Sequence, residues 1–202
     1  MIIKYFGHSY LLIEGCDYSI ALDPYCEIGL DIPIVSADFV FSSHSHYDHD
    51  NLSAVETATL VENTSGCFTV IPTFHDNEKG RLRGKNNILL FNLDGYNLAF
   101  MGDFGEDNNQ EVISKLHGVD ILFIPVGGTY TIDSKRAKYY VDKIQPKTVI
   151  PIHYKLDGCN IEIDKVDEFL KLFSDSLILK SPYIYDNEKG VVVLKPNHKG
   201  YL

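Results

Sequence analysis

The stretch SSHSHYDHD, residues 42–50, packs three of the chain's eight histidines and two aspartates into nine positions. It follows directly on DFVF (38–41), a short apolar run of the kind that forms a strand buried on both faces. In extended chain, residues two apart point to the same side, so His44 and His46 can grip one metal ion together. Asp48 and His49 fall where the chain turns away, and can face a second ion nearby. Imidazoles and carboxylates in one cluster suit zinc, manganese or iron. A working site needs further ligands and an open position for water. Three residues are placed to supply them: His75 at the end of TVIPTFH (69–75), Asp103 in FMGDFG (100–105) and His153 in TVIPIHY (148–154). Each sits just past an apolar run, where a site on a sheet edge draws its ligands.

Around these residues the chain repeats itself. YLLIEGCDYSIALDPY (10–25) reads as strand, turn and strand ending near Asp23. ILLFNLDGYNLAFMGDFG (88–105) has the same pattern ending at Asp103, with Asp94-Gly95 as a hairpin turn. ADFVFSSHSH (37–46) then aligns with VDILFIPVGG (119–128). A helix is expected after each: one over about 52–63, capped by Asp50 or Asn51, and one capped by Asp133 or Ser134 that runs to about Ile144, before Pro146. TVIPTFH and TVIPIHY close the two halves and align with each other. A last helix over VDEFLKLF (166–173) and a strand over GVVVL (190–194) complete the reading. DNEKG occurs at 76–80 and at 186–190, a polar turn used twice. Two such halves predict two sheets packed face to face with helices outside, in one domain over 1–202.

With 202 residues, 45% of them hydrophobic, the chain can bury a real core. Its formal charge of −10 sets it against nucleic acid and anionic membrane as partners. The amino terminus reaches His8 and Ser9 too soon for a signal peptide, and no run has the apolar length of a membrane span, so a cytoplasmic location is expected. Cys16, Cys26, Cys67 and Cys159 form no C-x-x-C pair and read as reduced thiols, buried as small apolar residues.

H-x-H-x-D-H, a later lone histidine, a Gly-Asp and a final histidine after a strand resemble the metallo-β-lactamase superfamily. GHS (7–9), LDPY (22–25), TFHD (73–76), GDFG (102–105), PVGGTYTID (125–133) and PKTVIPIHY (146–154) are similar to the branch that includes L-ascorbate-6-phosphate lactonase. The resemblance runs to about residue 156. It implies an α/β fold, the αβ/βα four-layer sandwich of two similar halves. It implies two divalent ions, zinc ahead of manganese or iron: one on His44, His46 and His75, the second on Asp48, His49 and His153, with Asp103 bridging. A hydroxide between the ions would be the nucleophile, with Asp48 orienting it or taking its proton. The substrate implied is a small ester, lactone or phosphorylated molecule, anionic in one reading. The same site would serve a phosphodiesterase, and a metal-binding sensor without turnover is the reading from another class.

Ser45 stands where the oxygen-reducing diiron relatives have glutamate. The length leaves no room for the inserted domain of the RNA-cutting members. Thr129, Tyr130 and Tyr154 are candidates to face the substrate. Arg81, Arg83 and Lys85 in RLRGK could steer an anion, although a solvated loop accounts for them as well. His8 is either a donor beneath the metal site or a hydrogen-bonded strand histidine. His117 and His198 read as surface residues.

Overall fold

The alternation at the amino terminus becomes three antiparallel strands, β1 (Ile2–Gly7), β2 (Tyr10–Glu14) and β3 (Ser19–Leu22), in a computed structural model that describes residues 1–196. Then follow β4 (Val35–Ser36), β5 (Phe39–Phe41), β6 (Val55–Glu56), β7 (Thr59–Leu60), β8 (Phe68–Phe74), β9 (Lys85–Leu93) and β10 (Tyr96–Phe100). Helix α1 (Gln110–Leu116), β11 (Ile121–Pro125), α2 (Ser134–Ile144), β12 (Thr148–Ile152) and α3 (Asp167–Leu170) lead to β13 (Ser176–Lys180), β14 (Tyr183–Ile184) and β15 (Gly190–Lys195).

Two sheets result, ordered β14-β1-β2-β3-β5-β7 and β13-β15-β12-β11-β10-β9-β8, with β4 and β6 as a small separate pair. The period-2 pattern decides which side chains go between them. Leu11, Ile13, Ile20, Leu22 and Phe41 join Leu89, Phe91, Leu98 and Phe100 in the main core. Their neighbours Tyr10, Leu12, Ala21 and Val40 point the other way and form a second apolar cluster.

The repeat is real, but its phase differs from the one read in the sequence. β1-β2-β3-β5-β7 and β8-β9-β10-β11-β12 share one scheme: two antiparallel pairings, then two parallel ones. TVIPTFH is therefore the counterpart of β1, and TVIPIHY that of β7. The four shared letters carry no register. β8 mixes buried and exposed residues at a sheet edge, whereas every residue of β12 is buried, as a central parallel strand requires.

The helix expected over 52–63 does not form. A single 3-10 turn (Leu52–Ala54) leads into β6 and β7. Val55, Thr57, Thr59 and Val61 favour extended chain, and Thr57 has φ +64°. Asn51 spends its side-chain amide on the Tyr25 carbonyl at 2.9 Å and caps nothing. The outer face of the first sheet is instead covered by loop residues, among them Tyr25, Ile28, Ala37, Cys159, Ile161 and Ile163.

Helix α2 matches its expected span. Asp133 accepts from the Arg136 N–H at 2.8 Å, and Ala137, Tyr140 and Ile144 turn one face inward. α3 is shorter than VDEFLKLF, because its last residues tighten into i→i+3 turns at Leu172 and Phe173. Cys16 and Cys67 are exposed and Cys26 is half-buried, so only Cys159 has the buried place expected of all four. Cys16, Cys26 and Cys67 lie in turns and loops nearer the surface. His117 is exposed, and His198 lies outside the described residues. Among the described residues no helix is long and apolar enough to cross a membrane.

Candidate metal centre

β1, β3 and β5 run in one direction within their sheet, as do β8, β10 and β12 in theirs. Each group delivers its carboxyl ends to a single edge. That edge collects His8 after β1, Asp23 after β3, His44 to His49 after β5, His75 after β8, Asp103 after β10 and His153 after β12. His44, His46 and His75 bring ligand atoms within 4.8 Å of one another, and so do Asp48, His49 and His153, joined by His8.

Asp103 stands between the two sets and is almost fully buried. Its Oδ2 lies 3.1 Å from His75 Nε2, 3.0 Å from His153 Nε2 and 4.0 Å from His44 Nε2, and its Oδ1 lies 3.2 Å from His49 Nε2. All seven ligand positions named from the sequence thus meet in one place.

Several imidazoles are held by the nitrogen facing away from this centre, which leaves Nε2 free to point inward. His75 Nδ1 donates to the Tyr130 carbonyl at 2.7 Å. His49 Nδ1 donates to Asp23 Oδ2 at 2.7 Å. Ser43 Oγ donates its single proton to Asp23 at 2.6 Å, so His44 Nδ1, 2.9 Å away, must donate to Ser43. Asp23 organises two of the imidazoles in this way, and sequence reasoning missed it. The repeat already set Asp23 opposite Asp103, which was the available signal. His8, Asp23 and His153 all hold positive φ, at 54°, 44° and 51°. Such strain persists where the surroundings over-determine the conformation, as at ligand clamps.

The donor set fits divalent cations on its own chemistry. His44 Nε2 and His153 Nε2 are buried without a hydrogen-bond partner, a costly arrangement that a cation would relieve. Burial, with His49 adding, pushes the His44 imidazole down to about 2; burial and then His153 push His8 to about 4. Both therefore offer lone pairs at neutral pH. Burial alone would lower His49, but Asp103 and Asp23 outweigh it and hold it well above its ordinary value. Burial would raise Asp103, yet His153 and His49 hold its carboxyl well below the usual range.

Gly105 makes room for this edge. A Cβ there would lie 2.4 Å from the carbonyl carbon and oxygen of His75. Gly105→Ala is expected to cost about 1–3 kcal/mol through that clash and to weaken metal uptake by moving His75. Urea unfolding beside a metal titration checks this, and a variant matching the parent in both would refute it.

Above the centre opens a cleft of about 540 Å³ lined by His46, Tyr47, Asp48, His75, Leu82, Arg83, Asp103, Tyr130, Asn160, Ile161 and Glu162. Of the three substrate candidates, Tyr130 lines it. Tyr154 does not: it is buried in the main core, with its hydroxyl 3.4 Å from the Leu194 carbonyl. Thr129 faces a neighbouring depression with Gly105 and Asp107 instead. Arg83 reaches the cleft, its guanidinium 5.7 Å from the Tyr130 ring centroid. Arg81 points outward and pairs with Glu78.

Comparison with known proteins agrees with this geometry. The family model described as "Beta-lactamase superfamily domain" matches residues 2–153. The chain belongs to the metallo-β-lactamase superfamily. Its sheets and helices are the superfamily's α/β sandwich, with the outer layer of the first half built from loops. Among the relatives of this superfamily member, a UPF0173 metal-dependent hydrolase of Pyrococcus abyssi is 26% identical over 98% of this chain and 97% of its own length. A Staphylococcus aureus UPF0173 metal-dependent hydrolase is 24% identical over 76% of this chain and 86% of its own. A crystal structure from Thermotoga maritima, assigned as a Zn-dependent hydrolase of the metallo-β-lactamase superfamily, shares 30% identity at a TM-score of 0.78, covering 96% of this chain and 97% of that one.

Proposed function

We propose that the protein is a dinuclear metal-dependent hydrolase acting on an ester, lactone or phosphorylated small molecule. One observation carries this reading: the two ligand sets meet on either side of Asp103 at the floor of a cleft. Zinc heads the candidate ions, with manganese and iron accepting the same donors. Bound there, two divalent ions would lower the pKa of water and polarise a carbonyl or phosphoryl oxygen near neutral pH. Asp48 reaches the cleft with its carboxyl held below the usual range. Burial opposes this, and hydrogen bonds from His49 and His8 outweigh burial. It therefore stays ionised and can accept a proton or orient an attacking water.

Three features favour an anionic small molecule. The cleft is of small-molecule size. Arg83 makes no ion pair among the described residues. Its loop is fixed by Asp76, whose carboxylate accepts the N–H groups of Glu78, Gly80, Leu82 and Arg83 at 2.7–3.0 Å. The likeness to the lactonase branch tilts the substrate toward a small, phosphorylated molecule. Arg83→Ala should raise KM about tenfold or more for anionic substrates and leave neutral ones nearly unchanged, since a charge-assisted hydrogen bond is worth about 1.5–3 kcal/mol. Equal effects on both classes would remove Arg83 from substrate recognition.

The deciding experiment is metal analysis of the purified protein, followed by lactones, thioesters and bis-p-nitrophenyl phosphate with zinc and with manganese. About two ions per chain are expected. Hydrolysis of the phosphodiester alone would shift the reading to a phosphodiesterase, and full loading with no turnover would favour a sensor. His46 is exposed, so His46→Ala should abolish turnover with little loss of stability. Unaltered turnover in that variant would end the metal mechanism.

A further inference from the structure

The structure assigns His8 as a further ligand of the second ion, which makes that site the more enclosed of the two. The assignment rests on the two-ion reading above. His8 is fully buried, and its Nε2 lies 3.2 Å from Asp48 Oδ2 and 3.2 Å from His49 Nε2, which are themselves 3.5 Å apart. Four donors set tetrahedrally at 2.0–2.1 Å from a zinc ion stand about 3.3 Å from one another. The triangle therefore has the edges of one face of a coordination shell, with His153 and the bridging Asp103 as further corners. The His8 and His153 rings lie 4.3 Å apart between centroids.

Topology gives an independent reason. β1 and β8 occupy the same place in the two halves, so His8 stands after β1 as His75 stands after β8. Backbone conformation is spent on aiming it: Gly7 and His8 take φ of 109° and 54° in succession. The His8 carbonyl is also fixed, accepting from the His153 N–H at 2.8 Å and from the Tyr5 hydroxyl at 3.0 Å.

The two sites then differ in access. His46 and His75 of the first set line the cleft; of the second set only Asp48 does, whereas His8, His49 and His153 are fully buried.

Cobalt titration of the whole protein, followed by equilibrium dialysis and the visible spectrum, tests this without any substrate. Asn tolerates positive φ, so His8→Asn keeps the backbone while its side chain is too short to ligate. His8→Gln can still hydrogen-bond Asp48 and guards against misfolding of the first variant. The parent should take up two ions. Both variants should hold the first within about threefold and lose affinity for the second by about a hundredfold or more, with that ion's absorption bands altered, because a direct ligand should matter at least as much as its outer partners. Two ions bound with parental affinity and spectrum in both variants would overturn the assignment and reduce His8 to a hydrogen-bond donor. Equal loss of both ions in a folded variant would also overturn it. A parent that binds fewer than two ions would instead defeat the two-ion reading, and the two failures are thereby separate.

Discussion

Asp103→Ala is expected to strip the protein of both ions and to lower turnover at least about a thousandfold, roughly 4 kcal/mol of barrier. Asp103 stands between the two ligand sets: it approaches His44 and His75 on one side and His49 and His153 on the other. Its effect on the metal-free fold should be smaller than its burial suggests. The carboxylate helps keep His49 protonated, and removing a buried partner can cost about 3–5 kcal/mol if the remaining charge is stranded. Here the proton can leave instead, so part of that penalty is avoided. The expected pattern is therefore near-total loss of metal and activity with a modest fall in the melting temperature measured under chelation. Metal counting, steady-state kinetics and thermal melts on one preparation decide it. A variant that keeps two ions and full turnover would exclude a bridging role.

The candidate ligands were legible because each follows an apolar run, and a strand that ends inside the fold has nowhere but the sheet edge to put a histidine or aspartate. The Asp94-Gly95 hairpin and the cap at Asp133 were legible for the same reason, since local geometry dictates the residue. What failed depended on distant partners. Nothing local says that residues 156–163 return to cover the first sheet, yet that cover is why a helix over 52–63 is not needed. TVIP looks alike at an edge and at a centre, because strand burial is set by neighbours. Tyr154 and Thr129 sit beside residues of the candidate centre in sequence, but one packs into the core and the other faces another depression. Asp23 was hidden because its partners, Ser43 and His49, lie twenty or more residues away.

Removing the ions should lower the melting temperature by about 8–16 °C near pH 7.5. At a free concentration a thousand times Kd, a ligand of the native state adds about 4 kcal/mol, and each kcal/mol moves a domain of this size by about 2–4 °C. The gap should close with acid, because ion binding requires neutral imidazoles and displaces the proton that His49 carries. The metal-free protein has its own profile, and its sign follows from the shifts. His49 is raised in the fold, so its contribution is full below the unfolded value of about 6.5 and is lost as pH rises through its folded value. His8 and His44 are lowered to about 4 and about 2 in the fold. Below about pH 6.5 the unfolded chain takes up protons that these two refuse, so stability falls as pH drops, by on the order of 3 kcal/mol for His8 alone by pH 4. The two trends oppose each other, and metal-free stability should peak near pH 6.5–7. Melts from pH 5 to pH 8, with and without chelator, test both parts. Equal melting temperatures at pH 7.5 would deny the ions a place in the native fold. A metal-free profile still climbing as pH falls to 5 would show that His8 and His44 are not the buried neutral groups this edge requires.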